Sequence, residues 1–126
     1  MTQRIRVQDD PVVRRPVPLD HLLITATSSG GAQTLYTVRD NAAFEIKKLT
    51  ASNLTGSAAT LTLHSIPSGG SIGDSNAEMK GVSIPPNTSA ALTEYIMGLY
   101  DASTVFAVYS DTSSAIIIHG WGEELL

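Results

Sequence analysis

From residue 21 onward, apolar and polar positions alternate in short runs, and each run is closed by Gly, Asn, Asp, Ser or Pro. A period of two places alternate side chains on opposite faces of an extended chain, so the runs predict strands. They lie near residues 21–27 (HLLITAT), 33–38 (QTLYTV), 43–53 (AFEIKKLTASN), 58–66 (AATLTLHSI), 79–84 (MKGVSI), 88–96 (TSAALTEYI), 104–110 (TVFAVYS) and 114–121 (SAIIIHGW). The connectors carry turn chemistry: SSGG at 28–31, RDNA at 39–42, LTGS at 54–57, PSGGSIGDSN at 67–76, PPN at 85–87 and DTS at 111–113. No apolar stripe of helix length and 3.6-residue period appears. The best candidate, AALTEYIMGLYDA, has good helix formers but no cap signature and meets Gly98, which predicts at most a single helical turn near 95–100.

Two of these runs set the register. In 43–53, Phe44 and Ile46 share one parity while Leu49 and Ala51 share the other, so strict alternation would turn half of the apolar set to solvent. A bulge at Lys47-Lys48 restores one apolar face. In 58–66, Leu61 and Leu63 are expected inward and Thr60, Thr62 and His64 outward. Eight short strands that each bury one face predict an all-β fold, an antiparallel β-sandwich of about eight strands, jelly-roll or immunoglobulin-like, with two sheets ~10 Å apart.

The last run departs from that rule. In SAIIIHGWGEE, Ile116 and Ile118 occupy one face, and Ile117, His119 and Trp121 the other, so neither face is wet. One reading is that a loop or the N-terminal segment of the same chain covers the second face. The reading taken here is an oligomer or partner interface at Ile117, His119 and Trp121, because aromatic residues with few charges mark interface centres.

Residues 1–20 read as an extended arm and 21–126 as the β-sandwich domain. RIRVQ alternates charge and apolar side chains, and DDPVVRRPVPLD follows with Pro11, Pro16 and Pro18, which remove backbone donors and favour extended conformations. A disordered terminus is one reading. The other, taken here, is docking onto a neighbouring subunit by strand addition through Arg4, Ile5, Arg6, Val7, Val12, Val13, Arg14 and Arg15. Residues 1–20 carry net +1 and the rest net −5, together the formal −4, so the arginines have an acidic surface to meet.

Composition changes the picture mainly by exclusion. At 126 residues the chain fits one domain with a single core. Charged residues are only 16%, so the surface must be rich in Ser, Thr, Asn and Gly. No Cys means neither a disulfide framework nor a thiolate metal site. With pI near 5.1 and no basic stripe, nucleic acid is not an expected partner. No leader-like apolar stretch opens the chain and no run approaches a membrane span, so no membrane partner is expected either.

No catalytic, cofactor-binding or metal-binding residue is assigned. His21, His64 and His119 fall on three separate predicted strands. Asp74, Asn76 and Glu78 alternate oxygen ligands as a calcium loop would, yet the Gly at position six and the Glu at twelve of an EF-hand are missing, and a solvated hairpin loop is the plainer reading. No Ser sits in a nucleophile elbow, and the NLT and NTS sequons at 53–55 and 87–89 read as turns.

The run TLYTVRDNAAFEIKKLTASNLTGSAATLTLHSIPSGGSIGDSNA, followed by VSIPPNTSAAL and the closing SAIIIHGWGEE, resembles a pattern of small virion proteins of tailed bacteriophages and gene-transfer-agent-like particles. The resemblance covers roughly residues 33–123 and leaves out the arm. It implies a capsid decoration or cement subunit, a head-spike base, or a tail or baseplate accessory domain, and it carries over no catalytic residue. The expectation is a non-enzymatic virion structural protein, made in the host cytoplasm and placed on the capsid surface. Its expected partners are its own copies, with a trimer favoured, and the major capsid protein or another virion protein. A receptor- or carbohydrate-binding tail module, with Tyr95, Tyr100 and Trp121 as sugar platforms, is the alternative.

Overall fold

A computed structural model of the protein describes residues 13–126. The described residues form nine strands: β1 (Arg14–Ile24), β2 (Gln33–Thr37), β3 (Ala43–Asn53), β4 (Ala59–Ile66), β5 (Ala77–Ile84), β6 (Ser89–Ala91), β7 (Leu99–Tyr100), β8 (Val105–Ser110) and β9 (Ile116–Leu125). Every pairing between them is antiparallel. One sheet, here called A, has the order β1-β9-β3-β6, with β7 also pairing β3; the other, B, has the order β2-β8-β4-β5. Their facing sides share one core, in which Ile24, Phe44, Leu49, Leu61, Leu63, Phe106, Val108, Ile116 and Ile118 are fully buried. Each such side chain contributes ~1.5–3 kcal/mol of transfer free energy.

The apolar parity break in β3 has the expected consequence. Ile46 lies opposite Gly122 and Lys48 opposite Trp121, so Lys47 is the extra residue of a bulge. Phe44 and Ile46 before it, and Leu49 and Ala51 after it, are all buried on one face. The helical turn expected near 95–100 is a 3₁₀ turn at Thr93–Tyr95, and it leads into β7, which the sequence reading did not separate.

At the N-terminal end the structure corrects the sequence reading. β1 begins at Arg14, so residues 14–20, expected to belong to an arm, are part of a strand of the fold. Residues 14–19 pair with β9 of the same chain, Arg14 opposite Leu125 through Leu19 opposite Gly120, and Leu19 is buried. The backbone N–H of Leu126 donates to the carbonyl of Val13, which sets the parity of the ladder: the donors of 15, 17 and 19 face β9, while positions 16 and 18 face the open edge. Prolines at 16 and 18 therefore remove no ladder bond, and they blunt the free edge of sheet A. Deleting residues 2–18, which an outlying arm would tolerate, is instead expected to lower Tm by at least about 10 °C, roughly a 2 kcal/mol loss. An unchanged thermal melt would show that these rungs contribute nothing to the fold.

The turn from β3 to β4 is organised by Asn53, which is 2% exposed. Its amide nitrogen donates to the carbonyls of Ser57 (2.8 Å) and Ile84 (3.0 Å), and its Oδ1 accepts from the backbone N–H (2.9 Å) and the hydroxyl (2.8 Å) of Thr55. All four hydrogen-bonding positions of the side chain are used. Asn53→Ala is expected to cost about 2 kcal/mol in urea unfolding, because the buried Ile84 carbonyl loses its side-chain donor and the turn loses its Thr55 bonds; a loss below ~0.5 kcal/mol would contradict this.

In β4 the expected inward set, Leu61 and Leu63, is buried, but two of the three positions expected to face water are buried too: Thr62 is 5% and His64 3% exposed, while Thr60 is half-buried. β4 is an interior strand, and the turn at Asp74–Asn76 folds back over its outer side. The Thr62 hydroxyl accepts from Gly81 N–H, and His64 Nδ1 bonds Asn76 Oδ1 at 2.9 Å.

Candidate functional site

The outer side of sheet A is the most distinctive surface of the molecule. β9 lies between β1 and β3, and its outward residues meet theirs row by row. Ile117 lies opposite Leu23 and Ser52, and Trp121 opposite Pro18 and Lys48. Between those rows β1 bulges, since Leu19 pairs Gly120 and Leu22 pairs Ile118, and the imidazole of His21 stacks on that of His119 at 4.4 Å and 14°. Leu23 and Trp121 are each 41% exposed. Ser52 and Ser89 continue the row with hydroxyls 2.7 Å apart. The result is a strip of aliphatic, aromatic and small hydroxyl side chains, with Lys48 beside Trp121, that holds all three residues singled out in the sequence, Ile117, His119 and Trp121.

One end of the strip is charged. Arg14 lies 3.3 Å from Glu123 and 3.8 Å from Glu45, and Lys47 lies 2.9 Å from Glu45 and 3.7 Å from Glu123. Two acids and two bases alternate there, and the bond to Glu45 raises the pKa of the Lys47 ammonium. These pairs are open to solvent, where screening and side-chain entropy leave them little net effect on stability. On the opposite side of the same sheet end, Glu124 points into the core edge with its side chain only 3% exposed. Arg15 donates to it through Nε (3.0 Å) and Nη2, Arg39 Nε lies 3.3 Å away, and the Tyr36 hydroxyl reaches it at 3.5 Å. Burial, and next the Glu124 charge, push the Tyr36 pKa up.

Of the residues expected to dock the arm, Val13, Arg14 and Arg15 bond to β9 or Leu126 of their own chain. Both arginines do meet acids, but those acids are on β9 and β3 of the same chain, because β1 is a strand of the same sheet. Arg4, Ile5, Arg6, Val7 and Val12 lie outside the described residues.

The three alternating oxygen ligands of the 68–78 loop do not converge. Asp74 is paired with Lys80 at 3.0 Å. Asn76 is committed to His64, to Gly73 N–H and to the carbonyl of Ser71, and Glu78 accepts from the Ser65 hydroxyl. The Asn76 network fixes its amide orientation, so Oδ1 is the acceptor and His64 carries its proton on Nδ1. His64 Nε2 is buried and has no hydrogen-bond partner among the described residues. Among the described residues no three His, Asp or Glu side chains are grouped to hold a metal ion, and no helix is long and apolar enough to cross a membrane.

A cleft of about 310 Å³ opens between the β4–β5 connection and the β7–β8 segment, lined in part by Ser65, Asn76, Glu78, Tyr100 and Asp101. Tyr100 presents its ring to Phe106, edge to face at 4.9 Å and 80°. Burial and then the neighbouring Glu78 carboxylate raise the pKa of its phenol well above the ordinary range. Compared with known proteins, the chain matches no family model, and no curated protein matches it significantly.

Proposed function

We propose that this chain is a non-enzymatic structural protein of a tailed-phage or gene-transfer-agent-like particle, a capsid decoration or cement subunit that associates with its own copies, and with the capsid protein, through the outer side of sheet A. The observation that carries the reading is the strip around Trp121, an apolar and aromatic centre with a charged end, which is the composition of an interface core beside its rim. The strand order adds to it. β1-β9-β3-β6 against β2-β8-β4-β5 is the order of two interleaved Greek keys, and we read the fold as a jelly roll in preference to an immunoglobulin-like sandwich. Jelly rolls recur in viral shells, an argument by analogy of fold alone. A tail, baseplate or head-spike module that binds a receptor or carbohydrate is the second reading, favoured by the hydroxyl- and carboxylate-lined cleft beside Tyr100.

Electron microscopy of intact particles tests the assignment. The reading expects the protein as repeated density over the shell, with sheet A facing a neighbouring chain. Density confined to the tail tip would favour the second reading, and a particle lacking the protein would remove both.

A further inference from the structure

The segment between β6 and β8 exposes apolar side chains on a rigid mount. Leu92 and Ile96 are fully buried and Tyr100 is wedged against Phe106, so alternate stretches of the segment are anchored in the core. Between those anchors Tyr95, Met97 and Leu99 are 38%, 73% and 61% exposed. Gly98 sits at φ +114, a conformation open to glycine, which lets Met97 and Leu99 both project outward. Glu94 and Asp101 flank this ridge, Glu78 lies in the adjoining cleft, and no Lys or Arg occurs between 92 and 104. Neither Glu94 nor Asp101 forms an ion pair among the described residues.

The chain itself contains a segment of matching chemistry. In Arg4-Ile5-Arg6-Val7 basic and apolar side chains alternate, so an extended strand offers two cations on one side and two aliphatic groups on the other. We propose that the ridge Tyr95-Met97-Leu99 is the acceptor for residues 4–7 of a neighbouring copy, with Ile5 and Val7 against Met97 and Leu99, and Arg4 and Arg6 toward Glu94, Asp101 and Glu78. Position favours this. β7 flanks β3 at the same end of sheet A at which β1 begins: Phe44 lies opposite both Tyr100 and Glu124, and Leu125 opposite Arg14. The twelve residues before Val13 thus enter the fold at the end that carries the ridge, and they span up to ~40 Å when extended, enough to cross a subunit boundary. A preformed ridge also limits the ordering cost to the arm.

The inference rests on the reading that copies of this chain associate, and the absence of cysteine allows the two to be separated. Full-length Ile5→Cys protein is mixed with full-length Leu99→Cys protein and oxidised, and the covalent heterodimer is measured against a control mixture of Ile5→Cys with Ser113→Cys, an exposed site on the β8–β9 turn. Met97→Cys serves as a second acceptor variant. A heterodimer yield at least about tenfold above control is expected, from an effective concentration far above that in solution. Arg4→Glu with Arg6→Glu should lower it roughly tenfold. If wild-type protein sediments as an oligomer and the yield equals control, the acceptor is misassigned while self-association stands. An internally bridged monomer from an Ile5→Cys/Leu99→Cys chain would assign the arm to its own ridge and overturn the neighbouring copy as occupant. A monomeric wild type with control-level yield overturns both.

Discussion

Gly120→Ala is expected to unfold the protein or to cost more than about 4 kcal/mol. A Cβ at residue 120 would overlap the Lys48 carbonyl oxygen, far inside van der Waals contact distance, with the carbonyl carbon at 2.9 Å and Leu49 Cα at 3.0 Å. All three are backbone atoms of the neighbouring strand, so no rotamer change relieves the clash. The cause is the β3 bulge, which presses the chain at Lys47-Lys48 toward β9 at the centre of sheet A. Gly122→Ala meets the Glu45 carbonyl oxygen and the Phe44 ring, each at 2.5 Å, and should be nearly as severe. Circular dichroism and urea unfolding of the two variants check this; a Gly120→Ala protein within ~1 kcal/mol of wild type would show that the two strands separate more easily than their ladder implies.

The second large effect is expected when Arg15 and Arg39 are both replaced by Met. Glu124 is 2% exposed, and the two guanidinium groups are the positive charges that hold it. Leaving a buried carboxylate with, among the described residues, only the long bond from Tyr36 should cost about 3 kcal/mol, at the lower end of what unpaired buried charges cost, because the arginines themselves reach solvent. Adding Glu124→Gln to the double variant removes the stranded charge, and the triple variant should be more stable than the double. Chemical denaturation of the three proteins decides this: a triple variant no more stable than the double would mean that the charge is not the source of the loss.

Glu124 also illustrates what the sequence could and could not disclose. It shares parity with Ile116, Ile118 and Gly122, so continuing the alternation past Trp121 would have placed it on the core face. The sequence reading stopped the strand at 121, where the apolar signal ends and GEE begins, and a buried acid was missed. Its partner Arg15 was read as docking on a neighbouring subunit, and its place on a strand of its own sheet was missed for a related reason. Pro16 and Pro18 look like strand breakers, and only the position of β1 at a sheet edge, a property of the assembled sheet, makes them compatible with pairing. The β3 bulge, by contrast, was legible because four apolar residues of clashing parity admit no other way to bury one face. The outer strip was half legible: Ile117, His119 and Trp121 follow from the two-faced pattern of one strand. Leu23 and the His21–His119 stack depend on cross-strand register and on a bulge in β1 that local sequence does not mark. The exposed ridge at 95–99 was hidden inside a run that read as strand or helical turn, since periodicity does not show which apolar residues the core leaves out.

The central claim is that the outer side of sheet A joins copies of this chain. Sedimentation velocity at micromolar concentration, with wild-type protein beside Trp121→Asp, tests it most directly. Trp121 is the exposed aromatic residue of the strip, in the row next to its charged end, so the substitution should leave the fold and its melting temperature nearly intact while placing a negative charge in the interface. The account predicts a defined oligomer for wild type and a 13.3 kDa monomer for Trp121→Asp. A wild-type chain that sediments only as a 13.3 kDa species, or a Trp121→Asp variant that assembles as wild type does, would contradict it.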